Sequence, residues 1–396
     1  MGREFSAAVA GGGIAGLASA VALAQAGWRV AVYERAPEFG EVGAGLAITG
    51  NGMTALEALG LDDAVRAVGY RTSTAGIADQ QGRWLIQLPD AGQVTTLWGV
   101  QRQRLHAVLT EAARSISAIE LVTGAEVTGV SAGAADGAPA ELRWRAGGKE
   151  HSAEADLIVG ADGVRSAVRA ALFPGVLAAY SGSTSWRAVI PDSSSDGRLI
   201  QAWGQGTEFG SLRVSEDEIY WYGYFVHAEG AVFDDELAAA RERFGTWAPW
   251  IRGFVEATPA ERLMRHDVYF LRQGSPSYVC GRVVLAGDAA HAALPTTGQG
   301  AASALEDAVC IGRMIAAPAL SGGSLSGGSL AAGLVEFDRV RRARCERISR
   351  TGVRIARFGP DLDGGWRQGV RNALLRAAPA GLLLRAGEPI VNWTAP

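Results

Sequence analysis

Three glycines, Gly11, Gly13 and Gly16, stand in the pattern G-x-G-x-x-G, and Glu34 follows 18 residues beyond the last of them. Between a strand and a helix, each of these residue types has a physical task. The first glycine permits a tight turn, the second lets a pyrophosphate approach the backbone, and the third lets the helix pack on the strand. The free N–H groups at the helix start attract phosphate, and a carboxylate at the end of the next strand accepts ribose hydroxyls. The chemistry is the binding of a dinucleotide, and this motif alone leaves open which one.

Such groups are positioned by a strand, a turn, a helix and a second strand. The apolar run 5–10 predicts the first strand, Gly11–Gly16 the turn, Leu17–Ala26 a helix closed by Gly27, and Trp28–Tyr33 the second strand. Amphipathic helices are expected at Gly52–Leu59 and Arg102–Arg114, and strands at Glu120–Val130, Ala140–Arg145 and Leu157–Val159. From about residue 180 to 228 the pattern changes to strands without helices: Ser183–Ile190, Arg198–Trp203, Phe209–Val214 and Ile219–Val226. This reads as an antiparallel meander. Tyr220, Tyr222 and Tyr224 fall on one face of its last strand, and Ile219, Trp221 and Phe225 on the other. Helices at Asp234–Phe244 and Trp250–Ala257 lead to a buried strand, Arg282–Ala286, and a helix Ala301–Ile315. A glycine-rich surface loop is expected over Pro318–Ser329, then a long arginine-rich helix, Leu330–Phe358, and shorter helices.

Composition narrows the class. The 396 residues, 48% hydrophobic and 20% charged, suit a globular protein of more than one module. Net charge is only −4, and Lys149 is the single lysine among 37 cationic side chains, which gives no nucleic-acid footprint. Cys280, Cys310 and Cys345 show neither disulfide-framework nor zinc-ligand spacing, so no metal is expected and a reducing cytoplasm fits best. No run of about 18 apolar residues predicts a membrane span.

Three further segments carry chemistry. Arg102, Leu105 and Leu109 form R-x-x-L-x-x-x-L; residues 156–169 read DLIVGADGVRSAVR, with Asp162 placed to cap a following helix; residues 281–308 read GRVVLAGDAAHAALPTTGQGAASALEDA. Together these resemble the flavoprotein aromatic hydroxylases built like para-hydroxybenzoate hydroxylase, over nearly the whole length. The resemblance implies a mixed α/β fold: a Rossmann-like FAD-binding domain with an inserted antiparallel-sheet substrate domain and C-terminal helices. Its parts would be 1–178 with 279–330, then 179–278, then 331–396, with 76–100 a candidate for the substrate sheet. The residues it implies at FAD are Gly11, Gly13, Ile14, Ala15, Gly16, Glu34, Arg35, Ala47, Arg102, Val127, Asp162, Asp288, Pro295, Gly298, Gly300 and Ala301. Asp288 would accept a ribityl hydroxyl, and Pro295 would border the isoalloxazine. The helix opening at Gly300 suits the negative charge of reduced flavin, worth roughly 0.3–2 kcal/mol. His291 is read as a packing and hydrogen-bonding residue.

The implied reaction passes hydride from NADPH or NADH to the flavin, adds dioxygen at its C4a carbon and transfers one oxygen atom to a small aromatic or polycyclic substrate. No protein residue is assigned a catalytic role in advance. Candidates for the substrate pocket are Phe209, Arg213, Tyr220, Tyr222 and Thr296; Thr296 stands where some relatives place an acid, so a carboxylate base at that point is absent. Epoxidation of a natural-product intermediate, and dehydrogenation or reduction without oxygen transfer, are the alternatives. A halogenase is disfavoured because its W-x-W-x-I-P segment has only WRAVIP, Trp186–Pro191, as a counterpart. The expected particle is a monomer or homodimer.

Overall fold

The computed structural model describes residues 4–40, 43–89, 94–321, 328–362 and 364–396. The β-α-β unit forms as strand Ser6–Ala10, helix Ile14–Gln25 and strand Arg29–Tyr33. The helix is buried on every side from Ile14 to Leu23, which is why it is written in alanine, leucine and valine without a polar face. These strands belong to a six-stranded sheet ordered Val279–Cys280, Val283–Leu285, Leu157–Gly160, Ser6–Ala10, Arg29–Tyr33, Ile119–Val122. Every pair is parallel except the first. Val9 lies between Val32 and Val159, and a sheet covered on both faces reads as continuous apolar sequence rather than alternation. The strand order reverses at Ser6–Ala10, so the glycine turn leaves the sheet at its switch point, where open α/β sheets bind ligands.

The largest sheet has nine strands. Along it run Met264–Phe270, Ala179–Pro191, Glu218–Val226, Thr207–Ser215, Leu199–Trp203, Tyr70–Asp79, Thr96–Gln101 and Gly45–Thr49, and Trp84–Gln87 pairs with Tyr70–Asp79. One face is an aromatic core: Trp186, Phe209, Trp221 and Phe225 pack on Phe244, Trp247 and Ile251 of and beside the helices Glu236–Phe244 and Pro249–Glu256. The Phe209 and Trp221 rings stack at 5.3 Å. On the other face Tyr220 packs among Ala44, Leu97 and Leu212. A Cβ on Gly45 would lie 2.2 Å from the Tyr220 ring, so that glycine lets the edge strand Gly45–Thr49 of the same sheet close over Tyr220.

Four expectations need correction. The strands from 179 to 226 are not a simple antiparallel meander: Ala179–Pro191 pairs with Glu218–Val226 rather than with Leu199–Trp203, which instead pairs in parallel with Tyr70–Asp79 and makes the sheet mixed. The run Glu120–Val130 is two strands: Ile119–Val122 in the parallel sheet, and Glu126–Ser131 in a three-stranded antiparallel sheet with Ala140–Ala146 and Lys149–Ala155. Gly124, at φ +64°, turns the chain between them. The helix expected through Ile315 is α-helical over Gly300–Cys310 and widens to a π turn at Ile311–Ala316. The ends of the expected loop are helical, in Ala317–Ser321 and Gly328–Phe358, while residues 322–327 lie outside the described residues. Among the described residues no helix is long and apolar enough to cross a membrane.

Candidate functional site

The glycine turn is held in shape from three sides. Gly11 has φ +98°, and a Cβ there would sit 2.5 Å from the Ala161 carbonyl oxygen; on Gly16 it would sit 1.9 Å from the Gly11 carbonyl oxygen. Gly12 N–H donates to Glu34 Oε2 at 2.7 Å, and Ala36 N–H to Glu34 Oε1 at 2.9 Å. Glu34 therefore braces the turn while keeping acceptor capacity for a ribose; Arg35 beside it is exposed. The Gly12 carbonyl is 2.7 Å from His106 Nε2, on the helix Arg102–Ser115, so the segment that begins with exposed Arg102 also anchors the turn. His106 lies inside the R-x-x-L-x-x-x-L pattern, and the pattern gave no reason to single it out.

The second turn meets the first. Gly287, at φ +59°, passes so close to helix Ile14–Gln25 that a Cβ would lie 2.7 Å from the Ala15 methyl. Asp288 follows, exposed at the edge of the same cleft. Asp162 caps the helix Ala167–Leu172: its carboxylate accepts from Ser166 Oγ at 2.5 Å and Ala167 N at 2.7 Å. Burial outweighs these bonds and raises its pKa. Arg169 ties this segment to the next motif, donating to the Ala289 carbonyl at 2.9 Å. Beyond the 3-10 turn Pro295–Thr297, Gly298 (φ +62°) and Gly300 are exposed, and a Cβ on either would meet no atom within 4 Å. The Gly298 N–H is held by the Pro295 carbonyl at 2.8 Å, and the open space above both glycines leaves room for a planar ring to approach the start of helix Gly300–Cys310. Ala47 and Val127 are half-buried on Gly45–Thr49 and Glu126–Ser131.

Behind that turn lies a buried ionic network. Gln299 accepts from Asn51 Nδ2 at 2.8 Å and donates to Thr49 Oγ1 at 2.9 Å. Asn51 also donates to Glu306 at 2.7 Å, and Glu306 pairs with Arg341 and, through two bonds of 2.7 Å, with Arg344. Asp307 accepts from Arg341 Nε at 2.8 Å and Gly287 N at 2.9 Å, and lies 2.6 Å from His291 Nε2. Burial opposes charge on both partners, yet Cys345 and Asp307 hold the His291 pKa well above its ordinary value, and His291 and Arg341 hold Asp307 below its own. His291, Asp307 and Cys345 place their donor atoms within 4.8 Å of one another, but the Arg341 guanidinium already occupies the second Asp307 oxygen, a poor setting for a cation.

A cavity opens between the Leu294–Thr296 segment and the nine-stranded sheet. Its walls include Leu294, Pro295 and Thr296, then Glu208, Tyr224 and Val268 from the sheet, and Ala356, Pro360 and Asp361 from the end of the long helix and beyond. Of the five residues expected at the pocket, Thr296 lines it, with its hydroxyl donating to the Gly352 carbonyl at 2.9 Å. Tyr220 and Tyr222 share a strand face with Tyr224 but do not line the cavity. Phe209 points into the aromatic core on the opposite face. Arg213 is also displaced: its guanidinium donates to the carbonyls of Ser195 at 2.8 Å and Glu216 at 2.9 Å, closing the loop at that end of the sheet. Tyr224 accepts from Arg187 Nη2 at 2.8 Å; burial disfavours the cation, and the surrounding tyrosines raise its pKa. Glu208 and Arg187 were not anticipated as site residues, and Tyr224 was placed on the aromatic strand face without being named a pocket candidate.

A glycine turn at the switch point of a parallel sheet, packed against a second glycine-bearing turn whose following segment, Leu294–Thr296, lines a cavity on the nine-stranded sheet, fits a dinucleotide-dependent flavoprotein. Residues 4–231 and 255–346 match the family described as FAD binding domain, and the chain belongs to that family, as an FAD-dependent monooxygenase. Aurachin C monooxygenase/isomerase of Stigmatella aurantiaca is 38% identical over 78% of this chain and 79% of its own. The 2-heptyl-3-hydroxy-4(1H)-quinolone synthase of Pseudomonas aeruginosa is 33% identical over 94% of each chain. The structure of Klebsiella pneumoniae HpxO complexed with FAD and uric acid shares the fold, with a TM-score of 0.81, 22% identity, and 98% of this chain and 96% of that one covered.

Proposed function

We propose that this monooxygenase hydroxylates a ring carbon of a nitrogen heteroaromatic substrate that also carries a keto or hydroxyl oxygen, the class of the 4-quinolones. NADPH or NADH and dioxygen are the co-substrates. One observation carries this reading: the cavity brings the Pro295–Thr296 segment opposite a sheet face that offers both an acceptor, Glu208, and a donor, Tyr224. A ring with a donor at one position and an acceptor at another complements such a face. Relatives named for a hydroxylated quinolone and for 6-hydroxynicotinate support the same class.

FAD supplies hydride acceptance and oxygen activation when bound. The partly buried Gly11 and Gly13, the exposed Gly298 and Gly300, and the exposed Asp288 fit that group. In this reading Gly11 and Gly13, with Ile14 and Ala15, receive the pyrophosphate, and Gly16 lets the helix pack close behind the turn. Glu34 and Arg35 lie toward the ribose, while Ala47, Arg102, Val127 and Asp162 flank the cofactor. Asp288 binds the ribityl chain, and Pro295, Gly298, Gly300 and Ala301 border the ring. The apolar Leu294, Val268, Ala356 and Pro360 exclude water from the reacting atoms. The parallel sheet would form the core of the FAD-binding domain and the nine-stranded sheet that of the substrate domain. Three unpaired cysteines fit a cytoplasmic enzyme.

The test is the absorption spectrum of the purified protein, followed by NADH and NADPH oxidation under labelled dioxygen with 2-heptyl-4(1H)-quinolone, 6-hydroxynicotinate and urate. A flavin spectrum and a product carrying labelled oxygen support the reading. A product without labelled oxygen moves the chain to the dehydrogenases.

A further inference from the structure

A buried carboxylate that lacks a cationic partner is costly to keep ionised. Glu208, on strand Thr207–Ser215, is 2% exposed. It accepts from Gln201 Nε2 at 2.8 Å and Tyr222 Oη at 3.0 Å, both neutral groups, and among the described residues it forms no ion pair. It nevertheless lines the cavity, across from Pro295 and Thr296. The arrangement is set by register. Gly210 lies opposite Tyr222 on the paired strand, and a Cβ there would sit 2.3 Å from the Tyr222 ring; the missing side chain lets the phenol lie across the strand and reach the carboxyl.

The groups around the carboxyl come from several elements. Tyr222 and Tyr224 project from Glu218–Val226, Gln201 and Trp203 from Leu199–Trp203, and Asp361 follows the long helix. Arg187, on Ala179–Pro191, is bound to Tyr224, and Arg243 lies over the Phe225 ring. Burial is the largest influence and is reinforced by Asp361; Tyr222, Gln201 and the Trp203 indole oppose it, leaving the carboxyl pushed up to about 7. It can therefore exchange a proton near neutral pH.

We propose that Glu208 is the catalytic base that takes the ring N–H or O–H proton of the substrate, so that the ring reacts as its anion. This rests on the substrate class proposed above. The N–H or O–H bond breaks, the proton passes to a carboxylate oxygen of Glu208, and the electron pair stays on the heteroatom, where conjugation enriches the carbon to be hydroxylated. One atom of dioxygen enters that carbon as a hydroxyl and the other leaves as water, the two electrons coming from NADPH or NADH; the carbon's own proton ends in that water, and the proton held by Glu208 returns to the heteroatom. The carboxylate is restored. The base missing at Thr296 is thus supplied from the opposite wall.

The experiment compares FAD-loaded native protein with Glu208→Gln, using the same three probes, by oxygenation rate against pH and by the absorption spectrum of the bound probe. The native rate rises with pH through about 7, with bound probe appearing as its anion. Glu208→Gln lowers the rate roughly 100-fold or more, abolishes the rise and leaves the probe neutral. Tyr222→Phe removes a donor that favours the ionised carboxylate, so the rise moves to higher pH; if Glu208→Gln fails to retain FAD, this shift decides alone. A variant with the native rate and profile overturns the proposal, as does a slow variant whose bound probe is still ionised. A native protein that binds none of the three probes overturns the substrate class, and the proposal with it.

Discussion

The two walls of the cleft solve opposite problems. On the cofactor side, buried charge is paired: Arg341, Glu306 and Asp307 are fully buried, and both carboxylates are bound to the one guanidinium. On the substrate side a buried carboxyl, Glu208, is hydrogen-bonded only by neutral groups, and a buried guanidinium, Arg187, by a tyrosine. The first arrangement fixes a geometry. The second keeps a group whose protonation can change, and perturbed titration of this kind concentrates where chemistry occurs.

Four changes would break or sharpen this contrast. Gly16→Ala has the largest expected effect, since its Cβ would fall 1.9 Å from a carbonyl oxygen: the purified protein should lack the flavin absorption band. Asp307→Asn leaves Arg341 and His291 without part of their counter-charge and should cost about 3–5 kcal/mol in denaturant unfolding. Glu208→Gln should act in the reverse direction. A carboxyl raised from 4.5 to about 7 by folding disfavours the folded state once it must ionise, so the native protein loses stability as pH rises from the lower value through the higher. Above that window the glutamine variant should be more stable by up to roughly 3 kcal/mol, and below it the difference should vanish, as measured by melting temperature against pH. Thr296→Val removes one hydrogen bond to Gly352 and should cost about 1 kcal/mol, leaving flavin content unchanged.

Sequence and structure agree best where chemistry is local. Gly11, Gly13 and Gly16 occupy one turn, so their spacing already states the geometry, and Gly298 and Gly300 do the same beside Pro295. The substrate wall depends on pairing between strands. Period-two alternation correctly put Tyr220, Tyr222 and Tyr224 on one face, but it could not place Phe209, which pairs with Gly223 and faces the other way. Glu208 reads as a solvent-facing residue until its strand is set between two others. Arg341 reads as part of a solvated stripe in an arginine-rich helix, yet it is 0% exposed. The signal for Glu208 was present but indirect: a glycine two residues on, at a position where an adjacent strand offers a large ring.

The long helix Gly328–Phe358 touches both walls. Arg341 and Arg344 bind the ionic network behind the second glycine turn, while Gly352 and Ala356, farther along, receive Thr296 and border the cavity. Its 31 residues form a rod of about 45 Å. A change of side chain after residue 350 therefore reaches the cavity wall, whereas a change at Arg341 or Arg344 reaches the network behind the second glycine turn, so one rigid rod ties the shape of the guest's chamber to the seat of the ring.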